Sequence, residues 1–222
     1  MGASDYIDFA IQPYQEATLL RALANLLPGG SALDVALTST RDNLIRKRTN
    51  EYFSALAAGK AKLRSQFGTS EAFVHRFLVT SEAVVRESEV EKRTLFANLL
   101  LNGPTNDELG EADYKELLQN LDELTMRELL LLKMLDEFEE SAAATSTDQN
   151  QLQNATAFWG AFQERAQEEL GIYEADVSST LSRIARTGCY KEITGAFFGY
   201  AGGMGTTTGL WRKFKRFVLG YD

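Results

Sequence analysis

The sequence predicts a mainly α protein in two parts, and three observations predict it. Apolar residues recur at the 3.6-residue spacing of amphipathic helices through most of the 222 residues. Helix stops at Leu27-Pro28-Gly29-Gly30 and Asn102-Gly103-Pro104 punctuate that pattern. After Gly188 the character changes: a short β-type run and six glycines between 195 and 209 precede one last amphipathic segment. The expectation is an N-terminal helical region over 1–105, a polar boundary at 105–110, and a C-terminal domain over 111–222 carrying a small β-hairpin.

The first helix is expected over 14–27, with Leu19, Leu20, Leu23, Ala24 and Leu27 on one face. Ser31 can cap the second, whose stripe is Leu33, Ala36, Leu37, Leu44, Ile45, Tyr52, Phe53 and Leu56 and which ends near Gly59. Arg41, Arg46, Lys47 and Arg48 fall mostly off that stripe. Thr69 or Ser70 caps a third helix bearing Phe73, Val74, Phe77, Leu78, Val84 and Val85. A fourth follows Ser88 with Val90, Leu95, Phe96, Leu99 and Leu100 inward.

In the second part a short helix is expected over 111–121. Thr125 and Glu128 have the spacing of a capping box and open a helix with Leu129, Leu132, Leu135 and Phe138 on its apolar face. Residues 141–156 carry no charge but Asp148 and no periodicity, which predicts a mobile loop. Helices over 157–170 and about 176–186 end at Gly171 and Gly188. Cys189 to Ile193 reads as a strand and the Gly-rich stretch as a hairpin. Thr208-Gly209 then opens a closing helix with Leu210, Phe214, Phe217 and Val218 inward.

Charge is segregated along the chain. The formal net charge is −8. Residues 106–148 carry 13 acidic and 3 basic groups, whereas residues 181–221 carry seven basic groups and one acidic. The average excludes a generally polycationic binder and leaves a local basic site open.

Three helices, a strand, a Gly-rich hairpin and a closing helix together resemble a winged-helix domain, the helix-turn-helix variant with a β-hairpin wing. Val177, Leu181 and Ile184, then Thr187-Gly188-Cys189-Tyr190, and the segment from Thr208 to Phe214 carry the resemblance, which covers roughly 124–219. It implies that helix 176–186 is the reading helix, with Ser178, Ser179, Ser182, Arg183 and Arg186 toward solvent. Lys191, Arg212, Lys213, Lys215 and Arg216 would add phosphate contacts. The implied partner is double-stranded DNA or a protein, since many winged helices are protein-interaction modules; a homodimer stays open. The whole chain is also similar to uncharacterised bacterial helical proteins linked to phage defence and mobile elements. LPGGSALDVAL followed by the Arg-rich 41–48, and EKRTLFANLLLNG followed by LDELTMRELLLLKML, carry that similarity. It brings no catalytic motif.

The residues argue for a non-enzymatic protein without cofactor or metal. One cysteine, Cys189, excludes a disulfide framework and a multi-Cys zinc site, and it is expected as a buried small hydrophobe. One histidine, His75, lies off the apolar stripe, with no Arg four to six residues before it as small helical toxin ribonucleases need. P-loop, HExxH and G-x-S-x-G patterns are missing, and Gly59-Lys60 is followed by Ala61. Glu164 with Glu168, and Asp136 with Glu140, share helix faces, but the Glu-x-x-His elements of di-iron bundles are lacking, so both pairs read as solvated faces.

The alternative reading is a membrane-active effector that uses the uncharged segment 193–211. Gly195, Gly199 and Gly203 have glycine-zipper spacing, but four threonines and six glycines make the segment poorly apolar for a span. Gly203, Gly205 and Gly209 depart from the G-x-G-x-x-G spacing of a dinucleotide loop. The N-terminus MGASDYIDFA lacks the basic and apolar regions of a signal peptide, so the expected location is cytoplasmic, with a membrane role disfavoured.

Overall fold

Helical periodicity becomes helix throughout the described residues, which in this computed structural model are 40–59, 71–103, 109–145, 151–193 and 203–220. The elements are α1 (Thr40–Ala58), α2 (Glu71–Arg86), α3 (Val90–Asn102), α4 (Glu111–Glu123), α5 (Met126–Thr145), α6 (Gln151–Leu170) and α7 (Glu174–Ile184). Strands β1 (Tyr190–Glu192) and β2 (Gly205–Thr207) follow, then α8 (Gly209–Phe214), which continues as a π-turn over Lys215–Leu219. The protein is therefore mainly α with one two-stranded antiparallel sheet. Contacts divide it into two units, residues 1–122 with 217–222, and residues 123–216. The expected helix 14–27, the stop at 27–30, the helix start at 31–39, the caps Thr69 and Ser70, the loop 105–108 and the Gly-rich run 194–202 lie outside the described residues.

In the first unit α1 lies against α2 and α3. Tyr52 and Phe53 meet Phe77, whose ring centroid is 6.4 Å from that of Tyr52 and 6.2 Å from that of Phe53, and Leu56 is buried. Phe96, Leu99, Leu100, Tyr114, Leu117 and Leu121 complete a closed core. Two residues assigned to apolar stripes point outward instead: Leu44 is 45% exposed and Val90 47%.

The inward positions beside Val90 are held by charges. Lys92 and Arg93 are buried. Lys92 Nζ lies 2.6 Å from Glu87 Oε2 and 3.3 Å from the Asp122 carbonyl. Arg93 pairs with Glu51 through Nε at 2.7 Å and donates to the Glu87 carbonyl at 2.8 Å. A periodicity reading places cations in solvent, but a charge whose donors are all used can sit inside. Burial pushes the Glu87 carboxyl up, yet the Glu89 N–H and the Lys92 ammonium outweigh it, so its pKa falls below the ordinary carboxylate value.

The same device fixes α4. Arg76 on α2 donates to Glu111 at 2.8 Å and to the Leu109 carbonyl at 3.1 Å, and its guanidinium lies 4.7 Å from the Tyr114 ring centroid. The Tyr114 hydroxyl meets Thr80 Oγ1 at 2.6 Å, and burial pushes its phenol pKa up. These contacts hold α4 to the first unit, which by contacts runs as far as Asp122.

In the second unit α5 opens on the expected capping box. Glu128 N donates to Thr125 Oγ1 at 3.2 Å, and Thr125 N donates to Glu128 Oε2 at 3.0 Å. Helices α5 and α6 extend into the stretch expected as a loop, through Thr145 and from Gln151. The alanines at 142–144 are the strongest helix formers, and they carry the helix onward without leaving an apolar stripe to read. Phe138 stacks on Phe158 at 5.7 Å and meets Phe162 edge-on at 6.0 Å, which joins the two helices.

Gly171, Ile172 and Tyr173 form a three-residue turn between α6 and α7. Gly171 takes a φ of +61°, which a side chain would resist, and Ile172 is buried. Helix α7 begins at Glu174, two residues before the expected start, and tightens into a 3-10 turn over Ala185–Thr187. Tyr190 then pairs with Thr207, Lys191 with Thr206 and Glu192 with Gly205. Thr208 caps α8 by accepting from Trp211 N at 3.3 Å, as its position suggests. Trp211, which the sequence reading left out, is fully buried and stacks on Phe214 at 5.6 Å, while Leu210 is half-buried.

Two substitutions test this packing. Glu51→Ala leaves the buried Arg93 guanidinium short of its carboxylate and should lower stability by about 2–3 kcal/mol, whereas Leu44→Ala should change it by less than about 0.5 kcal/mol; urea unfolding measures both. Gly205→Ala would put a Cβ into the Tyr190 ring and 2.5 Å from the Lys191 carbonyl. It should cost about 2 kcal/mol or more by overpacking, read as a lower thermal midpoint.

Candidate functional site

Helix α7 separates two kinds of residue by its 3.6-residue period. Val177, Thr180, Leu181 and Ile184 are buried. Ser178, Ser179, Ser182 and Arg183 are exposed on the other side, and Arg186 continues them from the 3-10 turn. Ser179 Oγ donates to the Asp176 carbonyl at 2.9 Å, and Arg186 Nε to the Arg183 carbonyl at 3.3 Å. Lys191 is exposed on β1. The hairpin comes back to this helix, because a Cβ on Gly203 would lie 3.2 Å from Ser178 Oγ. Glu174 and Asp176, both exposed, add negative charge to the first turn of α7.

Arg183 is half committed. Its side chain is 62% exposed, and its Nη2 lies 3.0 Å from Glu128 Oε1. Glu128 is itself 11% exposed and uses Oε2 for Thr125. The capping box was legible in sequence, but nothing there signalled that its carboxylate also reaches Arg183. Tyr173, 64% exposed in the turn before α7, is a second surface residue the sequence reading missed.

The basic residues of the last helix separate into two kinds. Arg212, Lys213 and Arg216 are exposed. Lys215 Nζ sits between Asp136 Oδ2 at 2.7 Å and Glu140 Oε1 at 2.6 Å, with its side chain 19% exposed. The hydrogen bonds to Asp136 and Glu140 raise the Lys215 pKa above lysine's ordinary value. Lys215 is thus occupied within the unit. The pairing also corrects the reading of Asp136 as solvated: it is buried, with Thr207 Oγ1 3.4 Å away. Glu139 beside it accepts from Thr207 N at 2.9 Å and from the same hydroxyl.

Other candidates resolve simply. The His75 side chain is 62% exposed and 3.9 Å from Glu111, and Cys189 is fully buried. A cavity of about 120 Å³ lies among Glu139, Asn154, Phe158, Ile193 and Gly205. Among the described residues no three His, Cys, Asp or Glu side chains are placed to hold a metal ion, and no helix is long and apolar enough to cross a membrane.

The Lys215 cluster has a pH signature. Its contribution to stability is full below lysine's ordinary value of 10.5 and is lost as pH rises through the raised folded value. Lys215→Met should cost about 2 kcal/mol at neutral pH and flatten the loss of stability above about pH 10, measured by urea unfolding from neutral pH upward. Comparison with protein-family models, curated proteins and solved structures finds no match to this chain.

Proposed function

We propose that this is a non-enzymatic binding protein whose second unit works as a winged-helix-type module and takes double-stranded DNA on the exposed face of α7. The observation that carries the reading is the single stripe of Ser178, Ser179, Ser182, Arg183 and Arg186 on a helix whose other side is buried. The three-residue turn before α7 and the antiparallel hairpin after it support the module type. In this reading Ser hydroxyls and Arg186 bind phosphate, Arg183 reaches phosphate or a guanine edge, and Lys191 adds a phosphate contact from the hairpin. Arg212, Lys213 and Arg216 extend the basic surface along α8 and its π-turn. Glu174 and Asp176 hold the affinity down, most at low salt where their repulsion of phosphate is least screened. A cytoplasmic accessory role in phage defence or on a mobile element belongs to the same proposal and rests on the sequence likeness alone.

One observation favours a second reading. The exposed Tyr173 beside α7 is the kind of aromatic that anchors protein interfaces, and it supports a protein partner on the same face.

Fluorescence anisotropy with a duplex of about 20 bp at low salt tests the proposal. The double variant Arg186→Ala, Lys191→Ala should bind about tenfold more weakly and lower the slope of log K against log salt by about two. Absence of duplex binding at low salt, or a double variant that binds like the unaltered protein, would overturn it.

A further inference from the structure

Glu128 already faces Arg183, the residue that the DNA-binding reading assigns to phosphate or a guanine edge. We infer that its carboxylate is an internal competitor for Arg183, holding the α7 face at reduced affinity until the partner displaces it. The inference rests on the DNA-binding reading and goes beyond it by naming how the site is restrained.

The geometry is unequal on the two sides of this pair. Glu128 is nearly buried and cannot follow a departing partner, because Thr125 N and Thr125 Oγ1 both donate to its Oε2, at 3.0 and 2.9 Å. Arg183 is the exposed member, and its side chain can rotate away. An incoming phosphate therefore meets a guanidinium that already faces a fixed carboxylate. Either Arg183 leaves Glu128, or phosphate and carboxylate share one cation at close range; both weaken binding. The carboxylate cannot be omitted without cost, since it also caps α5. Helix stability and restraint of the binding face are thus vested in the two oxygens of one side chain.

That division of labour supplies a clean test, because glutamine serves in a capping box but carries no charge. Binding of a random-sequence duplex is measured by anisotropy over a range of salt for the unaltered protein, Glu128→Gln, Arg183→Ala and the double variant. Glu128→Gln should tighten binding by about two- to fivefold, the worth of an exposed ion pair. Its salt slope should steepen by about one phosphate contact. The gain should vanish when Arg183 is already alanine, which a general change in surface charge would not produce. An unchanged or weaker Glu128→Gln, or a gain that persists in the Arg183→Ala background, overturns the inference and leaves the DNA reading standing. If neither the unaltered protein nor Glu128→Gln binds duplex at low salt, the functional reading itself falls. The side-chain NMR signal of Arg183 gives a second check on the unaltered protein: it should shift on titration with duplex, and a signal that stays in place while duplex binds overturns the inference.

Discussion

Asp136, Glu139 and Glu140 lie three and four residues apart on α5 and so share one face of the helix. The described strands and helix that follow α7 in the second unit are tied to that face. Glu139 receives the N–H and hydroxyl of Thr207, which sets β2. Asp136 and Glu140 receive the Lys215 ammonium, which sets the last helix. Strand β1 is then fixed by its register with β2, and Thr208 closes the circuit by donating to the Gly188 carbonyl at 2.6 Å. A three-residue strand pair has too little ladder to hold itself in water, so this docking of side chains onto a helix is what makes the hairpin a defined element.

The first unit obeys a related rule with the signs exchanged. Among the described residues its buried charges are cations, Arg76, Lys92 and Arg93, and each is met by a carboxylate and a backbone carbonyl. Such pairs add little net stability over apolar residues of the same size, but removing one partner is costly because the other charge stays inside. They make the packing of α1, α2, α3 and α4 specific: a slip of one helix would strand a charge.

These pairings explain why the charge asymmetry along the chain overstates the charge available for binding. The acidic stretch of α5 takes Lys215 outright and engages Arg183 through Glu128. What remains toward solvent around α7 is a modest mixture of serines, Arg186, Lys191 and the exposed side of Arg183, with Glu174 and Asp176 at the helix start. Under the proposed DNA-binding reading, a few well-placed donors on this surface would decide the affinity.

The sequence by itself determined the helical class, the hairpin, the capping box at Thr125 and Glu128, the cap at Thr208 and the turn at Gly171. Each is a local matter, settled by backbone geometry and hydrogen bonds within a few residues, so residue type and spacing reveal it. The exposed serine and arginine face of α7 was legible for the same reason, since helical period alone separates it from Val177, Leu181 and Ile184. Only the tertiary structure decided that Lys92 and Arg93 point inward while Leu44 and Val90 point outward. It alone decided that α5 takes up α7's Arg183 and also Lys215, which lies 79 residues beyond its partner Asp136. The physical reason is that a charge is placed by the partner that satisfies it, and here those partners come from distant parts of the chain.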